Sequence, residues 1–197
     1  MNAVLSARGL AKTFTLHGRG GVQLPVFAGV DLQLRAGECL ALTGRSGSGK
    51  SSLLRCLYGN YAATGGEVGL LHQGQWLTLS QAQPLRQLGV AVEEARARAG
   101  EWLARLNLGE RLWQLPPATF SGGEQQRVNI AHGLIAGHPI LLLDEPTASL
   151  DAANRAVVVD LIREACGRGA AVIGIFHDEE VRDAVASRRL DVESFRT

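Results

Sequence analysis

The sequence predicts an α/β fold, a mostly parallel sheet with helices packed against its faces. Three observations carry this. Strand-like and helix-like segments alternate through the C-terminal half. The strands there are unbroken apolar runs, such as Ile140 to Leu143 and Ala170 to Phe176, as expected of strands buried on both faces. A length of 197 residues with 46% hydrophobic content suffices for one core, so residues 1–197 read as a single domain.

The elements follow in chain order. Residues 1–43 read as strands: Val30 to Leu34 alternates apolar and polar residues, and Cys39 to Thr43 is a short buried-type run. From Gly49 to Tyr58 the pattern turns helical. Val68 to Leu71 and Trp76 to Leu79, on either side of His72 to Gln75, form a hairpin. Leu85, Leu88, Val92, Ala95, Ala99, Trp102, Leu103 and Leu106 recur at three- and four-residue steps, which marks an amphipathic helix with Arg96, Arg98 and Arg105 on its solvated side. Pro116 and Pro117 end the connector after it. A helix from about Gly122 to Ile135 comes next, and Pro139 prevents its continuation. Then come a strand at Ile140 to Asp144, a helix at Ala152 to Arg168, a strand at Ala170 to Phe176 and a helix at Glu179 to Ala186.

Charge narrows the function classes. Twenty basic and nineteen acidic side chains nearly cancel, so no overall field favours nucleic acid or an anionic membrane. The apolar runs fall far short of the roughly 20 residues that cross a bilayer, so no direct membrane insertion is expected. The first residues lack the pattern of a secretory signal, and Cys39, Cys56 and Cys166 form no CxxC pair. Both point to a reducing cytoplasm. Only Lys12 and Lys50 are lysine while the other eighteen basic residues are arginine, so a retained lysine marks a position where a compact ammonium is needed.

Lys50 stands in such a position. Gly44, Arg45, Ser46, Gly47, Ser48, Gly49, Lys50 and Ser51 match GxxxxGK[ST] between a predicted strand and a predicted helix, with Ser52 following. A glycine-rich turn lets successive N–H groups converge on a triphosphate while the helix presents its positive end. Lys50 would reach the β and γ phosphates, and Ser51 would ligate Mg2+. Ile140 to Glu145 is a buried strand that delivers two carboxylates at its C-terminal edge, where ligands gather in open parallel sheets. Asp144 would hold the magnesium and Glu145 would act as general base toward water. Adjacent acids at a strand end can also simply begin a turn; the phosphate loop in the same chain favours the catalytic reading.

Ser121, Gly122, Gly123 and Glu124 open a second helix in a form suited to anions. Alone, that serine would read as an ordinary N-cap. One ATP cannot easily use both helix starts from the same subunit. His177 follows the last buried strand and could hydrogen-bond a γ phosphate. Phe14, in the strand before the loop, could stack on adenine.

With these residues in hand the chain resembles the ATP-binding cassette family along nearly its whole length. Gly44 to Ser51 is similar to Walker A, Phe120 to Gln125 to the signature motif, Ile140 to Glu145 to Walker B, Ser149 to Asp151 to the D-loop, and His177 to the switch histidine. The resemblance implies a P-loop NTPase fold of cassette type, with an antiparallel β subdomain and a helical subdomain at about 85–137. It also implies two subunits, either a homodimer or a pair with a related cassette, that clasp two ATP between Walker A of one and the signature of the other. Asp151 then joins the nucleotide-binding set. Lys12 to His17, Leu24 to Val26, Leu106 to Trp113, Thr119 to Asn129 and Gly174 to Asp178 further resemble PhnL-type subunits of the carbon–phosphorus lyase system. That likeness implies partners in phosphonate degradation; a transporter subunit and a slow-turnover ATP-dependent scaffold are the alternatives.

The pattern departs from the family in three places. The block that carries the Q-loop glutamine is missing before Leu85, leaving Gln73, Gln75, Gln81, Gln83 and Gln87 as candidates by composition only. The shortened subdomain is expected to leave Leu88, Val92, Trp102 and Leu106 partly exposed. His132 replaces a usual arginine, and little follows Arg188 and Arg189, which implies no regulatory domain.

Overall fold

A computed structural model of the chain describes residues 3–16, 18, 21–72, 74–78, 92–113 and 115–197. The N-terminal region is antiparallel: β1 (Ala3–Leu16), β2 (Val22–Arg35), β4 (Gly65–His72) and β5 (Gln75–Thr78) stand in the order β2-β1-β4-β5. The second sheet contains β3 (Cys39–Thr43), β6 (Ile140–Asp144), β7 (Ala171–Ile175) and β8 (Arg188–Asp191) in the order β6-β7-β3-β8, all pairs parallel. Among the described residues the α-helices are α1 (Lys50–Tyr58), α2 (Val92–Arg105), α3 (Gly122–Ile135), α4 (Ala152–Gly167) and α5 (Glu179–Val185).

Period-two alternation in the central strands divides the interior into two cores. Leu40 and Leu42 of β3, with Ala171, Ile173 and Ile175 of β7, face a cluster containing Leu5, Leu10, Phe27, Leu34 and the α1 residues Leu53 and Leu57. Cys39, Ala41 and Val172 point the other way, toward Ile130 and Leu134 of α3 and Val158, Leu161 and Ile162 of α4. The parallel sheet is therefore the middle layer between the antiparallel sheet with α1 and the remaining helices. Each fully buried leucine contributes on the order of 2 kcal/mol of transfer free energy, so packing on both faces holds the central strands in place.

The expected hairpin forms, with Leu71 opposite Trp76. Leu79, Leu85, Leu88, Gln73, Gln81, Gln83 and Gln87 lie outside the described residues, as does the side chain of Val92; Gln75 is exposed and opens β5. The expected exposure of Leu106 is corrected. Leu106 and Leu108 are buried, because the chain turns at Asn107 (φ 55°) and folds both onto α3 and α4. Trp102 packs half-buried against the same cluster. Arg96, Arg98 and Arg105 are exposed as expected. Among the described residues no helix is long and apolar enough to cross a membrane.

Candidate functional site

Because β3, β6 and β7 run parallel, their carboxyl ends emerge along one edge. Asp144 lies level with Ile175, and Ala41 is level with Gly174. The phosphate loop follows β3, the Asp144–Glu145 pair ends β6, and His177 follows β7.

The loop depends on glycine where the backbone crosses into left-handed space. Gly44 (φ 125°) would place a Cβ 2.8 Å from Ser48 Oγ, and Gly49 (φ 97°) would place one 2.8 Å from Val26 Cγ1. Gly49 caps α1 without any side-chain hydrogen bond, so the first amides of the helix are not taken by a side-chain cap. Lys50 Nζ donates to Gly44 O and Arg45 O, both at 2.8 Å, which folds the ammonium over the loop. Arg45, Ser46 and Gly47 are exposed, Ser48 is buried, and Ser52 is half-buried in the first turn of α1. Ser51 Oγ donates to Asp144 Oδ1 at 3.5 Å, bringing together two hard oxygen donors from different elements. One hydroxyl and one carboxylate beside a phosphate cradle fit Mg2+, which is held by few protein oxygens plus phosphates.

Glu145 departs from the strand abruptly. Its N–H donates to Ile175 O at 3.0 Å, extending the ladder by one residue, and its backbone then turns left-handed (φ 51°). Left-handed backbone at a glutamate is unusual and marks a constrained turn. Gln126 of α3 supports it, donating from Nε2 to Glu145 O at 3.3 Å and to Pro146 O at 3.1 Å. His177 Nε2 donates to Glu145 Oε1 at 2.8 Å, with both side chains open to solvent. The pairing requires the imidazole proton on Nε2.

Ser121 is the N-cap of α3, closed by a capping box. Glu124 N donates to Ser121 Oγ at 3.3 Å, while Glu124 Oε2 accepts from Ser121 N at 2.8 Å and from Ser121 Oγ at 2.7 Å. These bonds hold the Glu124 carboxyl below its ordinary value. Gly122 is exposed and Gly123 is packed against Ser149 O, 3.0 Å from where a Cβ would stand. Asp151 caps α4, accepting from Asn154 N at 2.8 Å and Asn154 Nδ2 at 2.9 Å, and Asn107 donates to Asn154 Oδ1 at 3.1 Å. Among the described residues no hydrogen bond links Ser121 to the phosphate loop.

Phe14 is half-buried on β1, edge-on to Tyr61 with centroids 5.3 Å apart, and Lys12 Nζ lies 4.6 Å from its ring centre. Leu24 pairs with Phe14, and Val26, two residues further on, abuts Gly49, so this strand end adjoins the loop. Both lysines therefore occupy specific settings. Gln126 and the Asn107–Asn154 link carry no sequence signal, because each depends on residues brought together from distant segments. His132 is exposed on α3.

The sequence model described as ABC transporter matches residues 27–148. The macrolide export ATP-binding/permease protein MacB of Nitrosomonas europaea is 35% identical over 222 residues, covering 98% of this chain and 33% of its own. The pyoverdine export ATP-binding/permease protein PvdT of Pseudomonas aeruginosa is 36% identical over 204 residues, covering 89% of this chain and 30% of its own. The chain thus spans about a third of the length of these relatives. In the MacB comparison 98% of 197 residues is about 193, so about 29 of the 222 aligned positions have no counterpart here. Among solved structures, the dimeric MJ0796 bacterial ABC transporter cassette superposes with a TM-score of 0.81 at 25% identity, covering 96% of this chain and 95% of that one. A post-hydrolysis state of MJ0796 bound to ADP and Pi gives 0.80 at 26% identity, with the same coverage.

Proposed function

The chain belongs to the ABC transporter family of ATPases, and from that premise we propose that it is the ATP-binding component of an exporter, hydrolysing ATP with Mg2+ as a head-to-tail pair of cassettes. The observation that carries the reading is the convergence, along one sheet edge, of an uncapped helix start, a folded-over lysine, a serine–aspartate pair and a histidine-held glutamate. The export relatives supply the direction of the process. A role beside the carbon–phosphorus lyase enzymes has no support among these relatives, and the exporter reading replaces it.

The chemistry follows from the positions. The amides of residues 44–51 and the start of α1 bind the phosphates, and Lys50 exchanges two carbonyl oxygens for charged phosphate oxygens. Ser51 and Asp144 would hold a magnesium ion, which would neutralise charge on the phosphates. Glu145 accepts a proton from the attacking water. His177, bonded to its Oε1, fixes where the carboxylate points. Ser121 and the start of α3 supply a second set of donors toward the nucleotide of the partner copy, with Asp151 at the adjoining turn. The missing positions relative to MacB fall, in this reading, in the block before Leu85, and turnover is accordingly slower than in a full-length cassette.

Steady-state phosphate release and pull-down from detergent-solubilised membranes test the proposal together. Turnover that depends on Mg2+, with recovery of a permease subunit, is expected. Turnover without any membrane partner but with phosphonate-degrading enzymes bound would return the reading to the accessory role.

A further inference from the structure

Beside the phosphate loop lies a contact that the reaction above does not use. Arg45, the second residue of the loop, reaches Glu193, its Nε donating to Oε1 at 2.6 Å and its Nη2 donating to the same oxygen. The carboxylate is delivered by rigid local structure. β8 pairs Asp191 with Thr43, the last residue of β3. Asp191 Oδ1 accepts from Glu193 N at 3.0 Å, Ser194 Oγ donates to Asp191 O at 2.6 Å, and Val192 between them is fully buried. Glu193 is 26% exposed and Arg45 is 80% exposed, so the acid is the fixed partner and the guanidinium the movable one. The Arg45 guanidinium in turn holds the Glu193 carboxyl below the usual carboxylate range.

The loop thus carries two cations in different states. The Lys50 ammonium rests on neutral carbonyls and is available to an anion, whereas the Arg45 charge is already matched. A free guanidinium at the mouth of a triphosphate site would add attraction for ATP and ADP alike and slow the release of product. We infer that Glu193 sets the nucleotide affinity of the phosphate loop by sequestering the Arg45 guanidinium, keeping binding weak enough for turnover. This deepens the reading of the loop as an ATP site and rests on it.

The test is a two-by-two set: the intact chain, Glu193→Gln, Arg45→Ala and the double variant, titrated calorimetrically with Mg-ATP and Mg-ADP at low and high salt. Exposed ion pairs are worth little and are screened, so Glu193→Gln should tighten both nucleotides only roughly two- to fivefold at low salt and less at high salt. ADP should dissociate more slowly by the same factor. The gain should vanish in the Arg45→Ala background. Melting temperatures of all four proteins separate lost folding from changed affinity. Weaker binding by Glu193→Gln, or an equal change in both backgrounds, overturns the inference, because a merely structural Glu193 would behave so. Failure of the intact chain to bind Mg-ATP would instead remove the ATP-site reading itself.

Discussion

The starts of α1 and α3 present the same physics in opposite states. Both are helix N-termini preceded by small residues, with amides and a dipole suited to an anion. At α1 no side chain caps the helix, and its first residue is the lysine folded over the loop. At α3 the position is filled, because Ser121 and Glu124 satisfy each other in a closed capping box. The first terminus is open and, in the proposed reading, would receive phosphate from its own chain's nucleotide. In the proposed head-to-tail pair the second would trade internal bonds for contacts to another copy, so its ligand would arrive only with a partner.

The sharpest way to test that contrast is to let nucleotide persist. Glu145→Gln keeps the size and hydrogen bonding of the side chain but removes the base, and turnover should fall by about 10²–10⁴. Size-exclusion chromatography with Mg-ATP should then show an accumulated dimer. Monomer alone would mean that the α3 terminus never meets a nucleotide.

Lys50→Ala acts at the first terminus only. A charge-assisted bond contributes roughly 1.5–3 kcal/mol, so ATP affinity should drop on the order of ten- to a hundredfold in equilibrium binding. Lys50→Arg should also fail, because a planar guanidinium cannot take the position of the folded ammonium. Unchanged affinity in either variant would remove the loop from the binding site.

Ser121→Ala acts at the second terminus. Binding of ATP to the monomer should be unaffected, while loss of the cap costs about 1 kcal/mol and a few degrees of melting temperature. The ATP-bound dimer of a Glu145→Gln background should weaken. A dimer of undiminished affinity would show that the serine caps and does nothing more.

The smallest effect concerns Glu124. Its carboxyl is held below the ordinary value of 4.5 by the Ser121 bonds, so its stabilisation of α3 is fully present above that pH and is lost as pH falls through the lower folded value. Melting curves of the intact chain and Glu124→Gln should therefore differ near neutrality and converge in acid. A gap that widens toward acid would assign the capping box the wrong sign.

Much of this was legible in the sequence. The order of strands and helices as far as α5, the phosphate loop, the Asp144–Glu145 pair and the cap at Ser121 are local patterns, set by turn chemistry, apolar period and helix-end preferences within a few residues, whereas the short, mostly exposed strand β8 (Arg188–Asp191) escaped the apolar pattern. Tertiary structure decided the rest. That His177 reaches Glu145, 32 residues away, follows from β6 and β7 being neighbours in register. Gln126 reaches the Glu145 carbonyl only because α3 lies across the end of β6, and Leu106 is buried only because the Asn107 turn returns the chain to α3 and α4. Glu193 meets Arg45 across 148 residues because β8 adds to the sheet beside β3. Strand order and register have no local signature: they are chosen by burying two faces of one sheet at once, and that choice places the distant side chains on which the site depends.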